Sequence, residues 1–298
     1  MQEHLDLDEC DMFADSFDAV SDAVAKWPHL TSLHLRAPGS CPDRTFLSCT
    51  KLETSLKVIS SLQHFSVGGR HFGGRVSALL PVLATHHTAL VHLDLGAWQN
   101  HAEEVTTMES CEVLSTLTRL TSLQIPKHFC YEAPVLPQAE FAASLPALSC
   151  LQELDLSDSN MCLAAEVVQA LSTLTSLTML KLADAGINAY ILPVLAAALR
   201  CLRALRYLHV HGEGNCYPLA DALSTLTSLQ SASVQCDVFV YGQGRAFVKA
   251  LEHLPHLTLL DLGVAVTPEE WRDCHMSEFY QARATWLIIA PDESFLFL

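Results

Sequence analysis

Leucines return along the chain in a local pattern, L-x-x-L-x-L, whose intervening positions are mostly polar. Two frayed copies, around Leu5 and Leu287, flank the clear copies, which begin at Leu30, Leu62, Leu90, Leu120, Leu151, Leu177, Leu205, Leu229 and Leu257. The spacing between copies averages about 28 residues, and a period of that size is the signature of a repeat architecture. The sequence therefore predicts a stack of about 10 to 11 similar units.

Each unit predicts one strand and one helix. L-x-L is a period-two pattern, which is typical of a strand with one buried face. Ahead of it, leucines spaced by three, as in Leu171, Leu174 and Leu177, indicate a helix that ends and turns into the strand. Helical patterns such as 164–170 and 194–202 come earlier still, in Ala- and Leu-rich sequence. Such units bury their apolar faces only by stacking, so the fold class is an α/β solenoid with a parallel sheet.

The residues that carry this pattern resemble the leucine-rich repeat family, and specifically its ribonuclease-inhibitor-like class. The family motif is L-x-x-L-x-L-x-x-(N/C)-x-L. It is matched by LTMLKLADAGI at 177–187, with Ala185 in the Asn/Cys position, and by LQELDLSDSNM from Leu151, with Ser159 there. The resemblance covers roughly Leu5 to Ile289. It implies a horseshoe with parallel strands on the concave face and helices on the convex face. It also implies that the concave face binds another protein.

We expect one domain over 1–298, with a frayed repeat at 1–29 and a capping repeat at 264–298. Thr267 and Pro268 read as the start of a last helix, and the apolar tail SFLFL as part of the cap. The N-terminal strand has no comparable cover. Three explanations stay open: residues 13–27 curl over the strand, the chain is a fragment, or a partner sits there.

Charge narrows the classes of partner. The chain has 17 Lys and Arg against 33 Asp and Glu, a formal net charge of −16. Nucleic acids and anionic membranes reward clustered basic residues, so neither is expected as a partner. The sequence has no apolar stretch of about 18 residues, so we expect no membrane-spanning helix. Eleven cysteines, an odd number with no C-x-x-C pair, favour a reducing, cytoplasmic compartment in which most thiols are packed.

The repeat phase assigns the candidate binding residues. Side chains before, between and after the two leucines of L-x-L face away from the core, and together they form three columns. These columns hold six acidic residues and only two of Lys or Arg, so we expect a basic partner. Neighbouring aromatic and apolar positions predict the main contact. The candidate partner-binding residues are Met179, Lys181, Tyr207, His209, His211, Tyr217, Asp155, Glu153, Asp94 and His92.

Three further expectations concern particular side chains. Leu259, Trp286 and Ile288 occupy the columns near the C-terminus and are expected to be buried beneath the tail. His64 and His92 should sit side by side in one column. The pair at 86–87 falls in the turn from a helix to the next strand, where we expect a solvated corner.

No motif for catalysis is present: there is no P-loop, G-x-S-x-G elbow or H-E-x-x-H. Asp155 and Glu153 share a strand face, yet an open face does not exclude water as acid–base catalysis requires. We therefore expect no enzyme activity, cofactor or metal, and interpret the chain as a protein-interaction scaffold. Within the resembling class, the alternatives are a GTPase-activating or enzyme-inhibiting regulatory protein, or the repeat region of a larger receptor or assembly.

Overall fold

The computed structural model describes residues 3–7, 14–36, 49–68, 79–98, 111–125, 127–128, 138–157, 163–215, 217–238, 250 and 253–263. They fall into two compact units, the first within residues 1–161 and the second within 162–298. Each unit alternates short parallel strands with helices, and each repeat adds one strand to the main parallel pairing, so the fold class is an α/β leucine-rich-repeat solenoid. This confirms the fold class predicted from the leucine pattern.

The first unit contains six strands that pair in chain order, every pair parallel, and a separate parallel pair formed by β5 and β7. Its strands are β1 (His4–Asp6), β2 (Ser32–Arg36), β3 (His64–Gly68), β4 (His92–Asp94), β5 (Ala97–Trp98), β6 (Ser122–Gln124), β7 (Lys127–His128) and β8 (Glu153–Asp155). Its helices are α1 (Ala14–Val24), α2 (Cys49–Leu56), α3 (Leu79–His86) and α4 (Gln138–Ser144), with 3-10 helices at Cys111–Thr116 and Leu145–Ala147.

The second unit repeats the plan with longer strands, again parallel and paired in chain order. Its strands are β9 (Met179–Ile187), β10 (Tyr207–Asn215), β11 (Ser231–Val238) and β12 (Leu259–Gly263). Its helices are α5 (Ala165–Leu171), α6 (Leu192–Leu199) and α7 (Tyr217–Leu223). The helices predicted from the patterns at 164–170 and 194–202 are thus present, with ends shifted by one to three residues.

The leucine pattern builds the core of both units. From the repeat of Leu33 to the repeat of Val234, both apolar residues of L-x-L are buried, as Leu180 and Leu182 show at 0% exposure, whereas Leu5 and Leu7 of the first strand are half-buried. The leucines spaced by three ahead of the strand, such as Leu171 and Leu177, are equally covered. Burying one such side chain stabilises the fold by roughly 1.5–3 kcal/mol, so a periodic set of them is the main stabilising term.

A recurrent backbone hydrogen bond fixes the register between repeats. The residue two places before L-x-L donates its N–H to the carbonyl of the same residue one repeat earlier. Gln63 N donates to Thr31 O at 2.8 Å and Arg206 N to Thr178 O at 2.8 Å. Because each repeat makes the same bond, equivalent residues stay aligned within each sheet.

The N-terminal helix and the C-terminal capping repeat are the parts of the chain that the expected domain boundaries concern. Ala14–Val24 form α1, which packs beside α2. The capping repeat expected at 264–298 lies outside the described residues. Among the described helices, none is long and apolar enough to cross a membrane.

Candidate functional site

The outward side chains of the second unit form rows that match the predicted columns. Met179 of β9 lies opposite Tyr207 of β10, which lies opposite Ser231 of β11. One pleat further along, Lys181 lies opposite His209. Paired strands lie about 4.8 Å apart, so these side chains are neighbours. We call the surface formed by Met179, Lys181, Tyr207 and His209 the second strand face.

Tyr207 is the most exposed aromatic residue of this face, at 43%. Met179, Lys181 and His209 around it are half-buried, so each presents part of its surface and is held by its neighbours. A tyrosine supplies a large aromatic surface and has only two side-chain torsions to lose on binding. The second strand face therefore presents the Tyr207 ring near the Lys181 ammonium group, an arrangement that suits contact with another protein.

Leu259 continues the Tyr207 row on β12 and is 43% exposed. The expectation that it is buried beneath the tail is therefore wrong, while Trp286 and Ile288 lie outside the described residues. Its neighbour one pleat on, Asp261, accepts a hydrogen bond from the Ser233 hydroxyl at 2.9 Å. That carboxylate lies three strands away from Lys181, on β12, so its charge acts on Lys181 only at a distance.

His211 lies midway along β10 and is tied to the preceding repeat. Its Nδ1 donates to Asp184 Oδ1 at 2.6 Å, which fixes the proton on Nδ1 in this contact. Asp184 has a φ of 51°, in the left-handed region that asparagine and aspartate tolerate best among residues with a side chain. The pair thus holds the bend within β9 in place, and His211 belongs to this bend as much as to the strand face.

Tyr217 follows the opposite end of β10 from Tyr207. It is the first residue of α7, after the C-terminal end of β10, whereas Tyr207 begins that strand. It is 56% exposed. Tyr190 occupies the comparable connection one repeat earlier, between β9 and α6, and is 89% exposed. The sequence interpretation missed Tyr190, because irregular connections carry no periodicity that assigns a face.

The first unit also shows the predicted columns, with one correction. His64 and His92 are neighbours, with ring centroids 6.3 Å apart, which confirms their expected placement. Asp94, in contrast, is 2% exposed. Its Oδ1 accepts the Gly96 N–H at 2.7 Å and its Oδ2 accepts the Ser66 hydroxyl at 3.2 Å. Asp94 therefore holds the strand end together and does not present its carboxylate to a partner.

The remaining acidic candidates, Glu153 and Asp155, lie on β8. Glu153 is exposed, and Asp155 is half-buried with its Oδ1 accepting the Ser157 N–H at 3.0 Å. Asp6 on β1 is exposed as well. Exposed carboxylates of the columns therefore lie mainly in the first unit, and the candidate His92, on β4, is half-buried.

The expected solvated corner at 86–87 is correct for His86 and wrong for His87. His86 is exposed, but His87 is 1% exposed. Its Nε2–H donates to the Leu56 carbonyl at 3.0 Å, and its buried Nδ1 has no hydrogen-bond partner. Burial lowers the pKa of His87 below its ordinary 6.5, against the opposing effect of the Leu56 hydrogen bond. The imidazole is thus held neutral.

Nothing in the described part of the chain suggests chemistry at these surfaces. No group of three or more His, Cys, Asp or Glu residues there has the geometry to hold a metal ion. Cys150 and Cys201 are free thiols and both are exposed. What the rows provide is a set of ordered polar, aromatic and apolar contacts.

Comparison with known proteins does not assign the chain to a family: no family model matches the chain, and no curated protein matches it. Solved structures do match. A chain in the "Crystal structure of Rad7 and Elc1 complex in yeast" is 16% identical with a TM-score of 0.47, over 84% of this chain and 66% of that one. A chain in the "Crystal structure of TLR13-ssRNA13 complex" is 17% identical with a TM-score of 0.37, over 79% of this chain and 36% of that one.

Proposed function

We propose that this chain is a non-enzymatic protein-interaction scaffold that binds a protein partner on its outward strand faces. The observation that carries the proposal is Tyr207, an exposed aromatic ring held in a row between Met179 and Ser231 and beside the Lys181–His209 row. Tyrosine, methionine and arginine are enriched where proteins bind one another, and a few such anchors supply most of the affinity. The repeat length of about 28 residues supports assignment to the ribonuclease-inhibitor-like class, whose strand face is concave.

The charge of the chain supports a basic partner. At −16 overall, and with exposed carboxylates on Asp6 and Glu153, the chain attracts cations from a distance. Such attraction raises the rate of association more than the final affinity. The same charge disfavours nucleic acid and anionic membranes as partners, and a cytoplasmic location agrees with the free thiols at Cys150 and Cys201.

The first prediction concerns Tyr207. Replacing it by alanine is expected to weaken partner binding by roughly 1–3 kcal/mol, as truncation of a central aromatic anchor does. Partners are captured from native extract with cross-linking and identified by mass spectrometry. The purified partner is then titrated against the wild-type chain and the variant by isothermal calorimetry.

The matched control is Val58→Ala, because Val58 is a large apolar side chain that is 53% exposed in the first unit. That variant should bind like the wild type. Full affinity in Tyr207→Ala, or cross-links that avoid β9 and β10, would remove the second strand face from the proposal.

A further inference from the structure

Two exposed tyrosines of the second unit follow the C-terminal ends of neighbouring strands, away from the start of the strands. Tyr190 is 89% exposed and Tyr217 is 56% exposed. Tyr190 lies between β9 and α6, and Tyr217 is the first residue of α7, one repeat later. We call the surface formed by residues 184–190, 211–215 and 217 the loop edge.

The strands touch at this end. A Cβ built on Gly214 of β10 would lie 3.0 Å from the Cβ of Ala189, and Gly214 has a φ of 104°. Glycine at this position thus allows β10 to approach the residues that follow β9 without strain. His211 of β10 and Asp184 of β9 join the same two strands by their hydrogen bond. Tyr190 and Tyr217 therefore follow two strands whose ends are packed and bonded together.

The backbone beneath Tyr190 is fixed although its side chain is exposed. The Asn188 side-chain oxygen accepts the N–H groups of Tyr190 at 3.0 Å and of Ile191 at 3.2 Å. Ile187 and Ile191, on either side, are buried. A large aromatic ring on an ordered turn is preorganised for a contact, because little backbone entropy remains to be lost on binding. Packing of the fold does not account for a tyrosine left 89% exposed.

The charge of the loop edge selects the kind of partner. Segments 183–192 and 211–218 contain the carboxylates of Asp184 and Glu213 and no lysine or arginine. Asp184 and Glu213 are both exposed. Aromatic faces attract cations, and neighbouring carboxylates add to that attraction. The combination is complementary to arginine or lysine side chains.

We propose that the loop edge is a second contact surface that binds a basic segment of a protein partner, with arginine or lysine side chains placed over Tyr190 and Tyr217 and beside Asp184 and Glu213. This rests on the protein-binding function proposed above. The contact joins basic side chains of the partner to the loop edge, which is separate from the surface around Tyr207. The second strand face and the loop edge would then act on different parts of the same partner.

The test uses the full chain and a short fluorescein-labelled peptide of arginine, glycine and serine, followed by fluorescence anisotropy. The double variant Tyr190→Ser with Tyr217→Ser is expected to bind this peptide about tenfold more weakly than the wild type. Its net charge is unchanged, so attraction to an acidic chain in general is the same. The double variant Tyr190→Phe with Tyr217→Phe keeps the aromatic faces and should retain the binding.

Several results would overturn the inference. One is equal affinity of the wild type and the serine variant for the peptide. Another is failure of the phenylalanine variant to retain binding, and a third is equal binding of a peptide with glutamate in place of arginine. Tyr207→Ala should leave peptide binding unchanged. If Tyr207→Ala alone weakens it, the peptide binds the second strand face; the loop-edge inference then fails while the proposed function stands.

Discussion

Replacing Gly96 by alanine is expected to lower the free energy of unfolding by about 3 kcal/mol or more. A Cβ at Gly96 would lie 2.4 Å from the Gly68 Cα and 2.6 Å from the Val67 carbonyl oxygen. These are backbone atoms of the neighbouring strand, so relief requires the strands to separate. Gly96 also has a φ of 57°, which alanine adopts only with strain.

The measurement is urea unfolding of the full chain, with hydrogen exchange to locate the loss. Amides of α3 and β4 should exchange faster in Gly96→Ala, while those of β9 and β10 change little. Gly214→Ala is the comparison: its φ of 104° also strains alanine, but the nearest atom to its Cβ is the Ala189 Cβ, at 3.0 Å, and the nearest backbone atom lies at 3.6 Å. Gly214→Ala should lower the free energy of unfolding by less than Gly96→Ala does. Unfolding of Gly96→Ala at the wild-type urea concentration would contradict the packing described for β3 and β4.

Acidification is expected to destabilise the first unit through His87. Burial holds its folded-state pKa below 6.5, so the unfolded chain takes up the proton first. Above about pH 6.5 the imidazole is neutral in both the folded and the unfolded chain, and its titration costs no stability. As the pH falls from there toward the folded-state pKa, the free energy of unfolding decreases. Protonation would put a charge and an unpartnered Nδ1–H in the core, and a buried unsatisfied donor costs roughly 1–3 kcal/mol.

His87→Leu tests this directly. At about pH 5 the variant should be more stable than the wild type by about 2 kcal/mol, and at about pH 7.5 the two should agree within about 1 kcal/mol. The Leu56 carbonyl keeps the Ile59 N–H as a donor, at 3.3 Å, so removing the imidazole does not strand it. Thermal unfolding at both pH values gives the comparison.

The control is His86→Leu, which makes the same chemical change at the exposed neighbour. Its loss of stability on acidification should follow the wild type closely. If His87→Leu lost stability in parallel with the wild type between the two pH values, another histidine would be responsible.

The sequence predicted the rows of the strand faces because two constraints fix them. The L-x-L pattern sets which side chains face outward, and the period of about 28 residues places one such strand in each repeat. Tyr207 between Met179 and Ser231 follows from those constraints alone. Facing outward is not the same as being exposed, however. Asp94 is short enough to turn back onto Gly96 and Ser66, so its place in the column did not reveal its burial.

His87 was misplaced although the sequence held the signal. It stands six residues before Leu93, where other repeats have Leu117, Leu174 and Leu226 before their own L-x-L. All three of those leucines are buried, so a histidine at that position is a core residue. Tyr190 had no comparable signal. Its exposure depends on the Asn188 turn and on the loop packed beside it, neither of which has a period.

The repeated bond between equivalent backbone atoms has a consequence for engineering. Because Arg206 N binds Thr178 O as Gln63 N binds Thr31 O, backbone bonds align these strands, and only some outward side chains, such as Asp94 and Asp261, add bonds between them. Substituting the solvent-exposed residues of several repeats together should therefore change the binding specificity while the buried leucines keep the repeats stacked. The chain would then serve as a scaffold for engineered binding proteins.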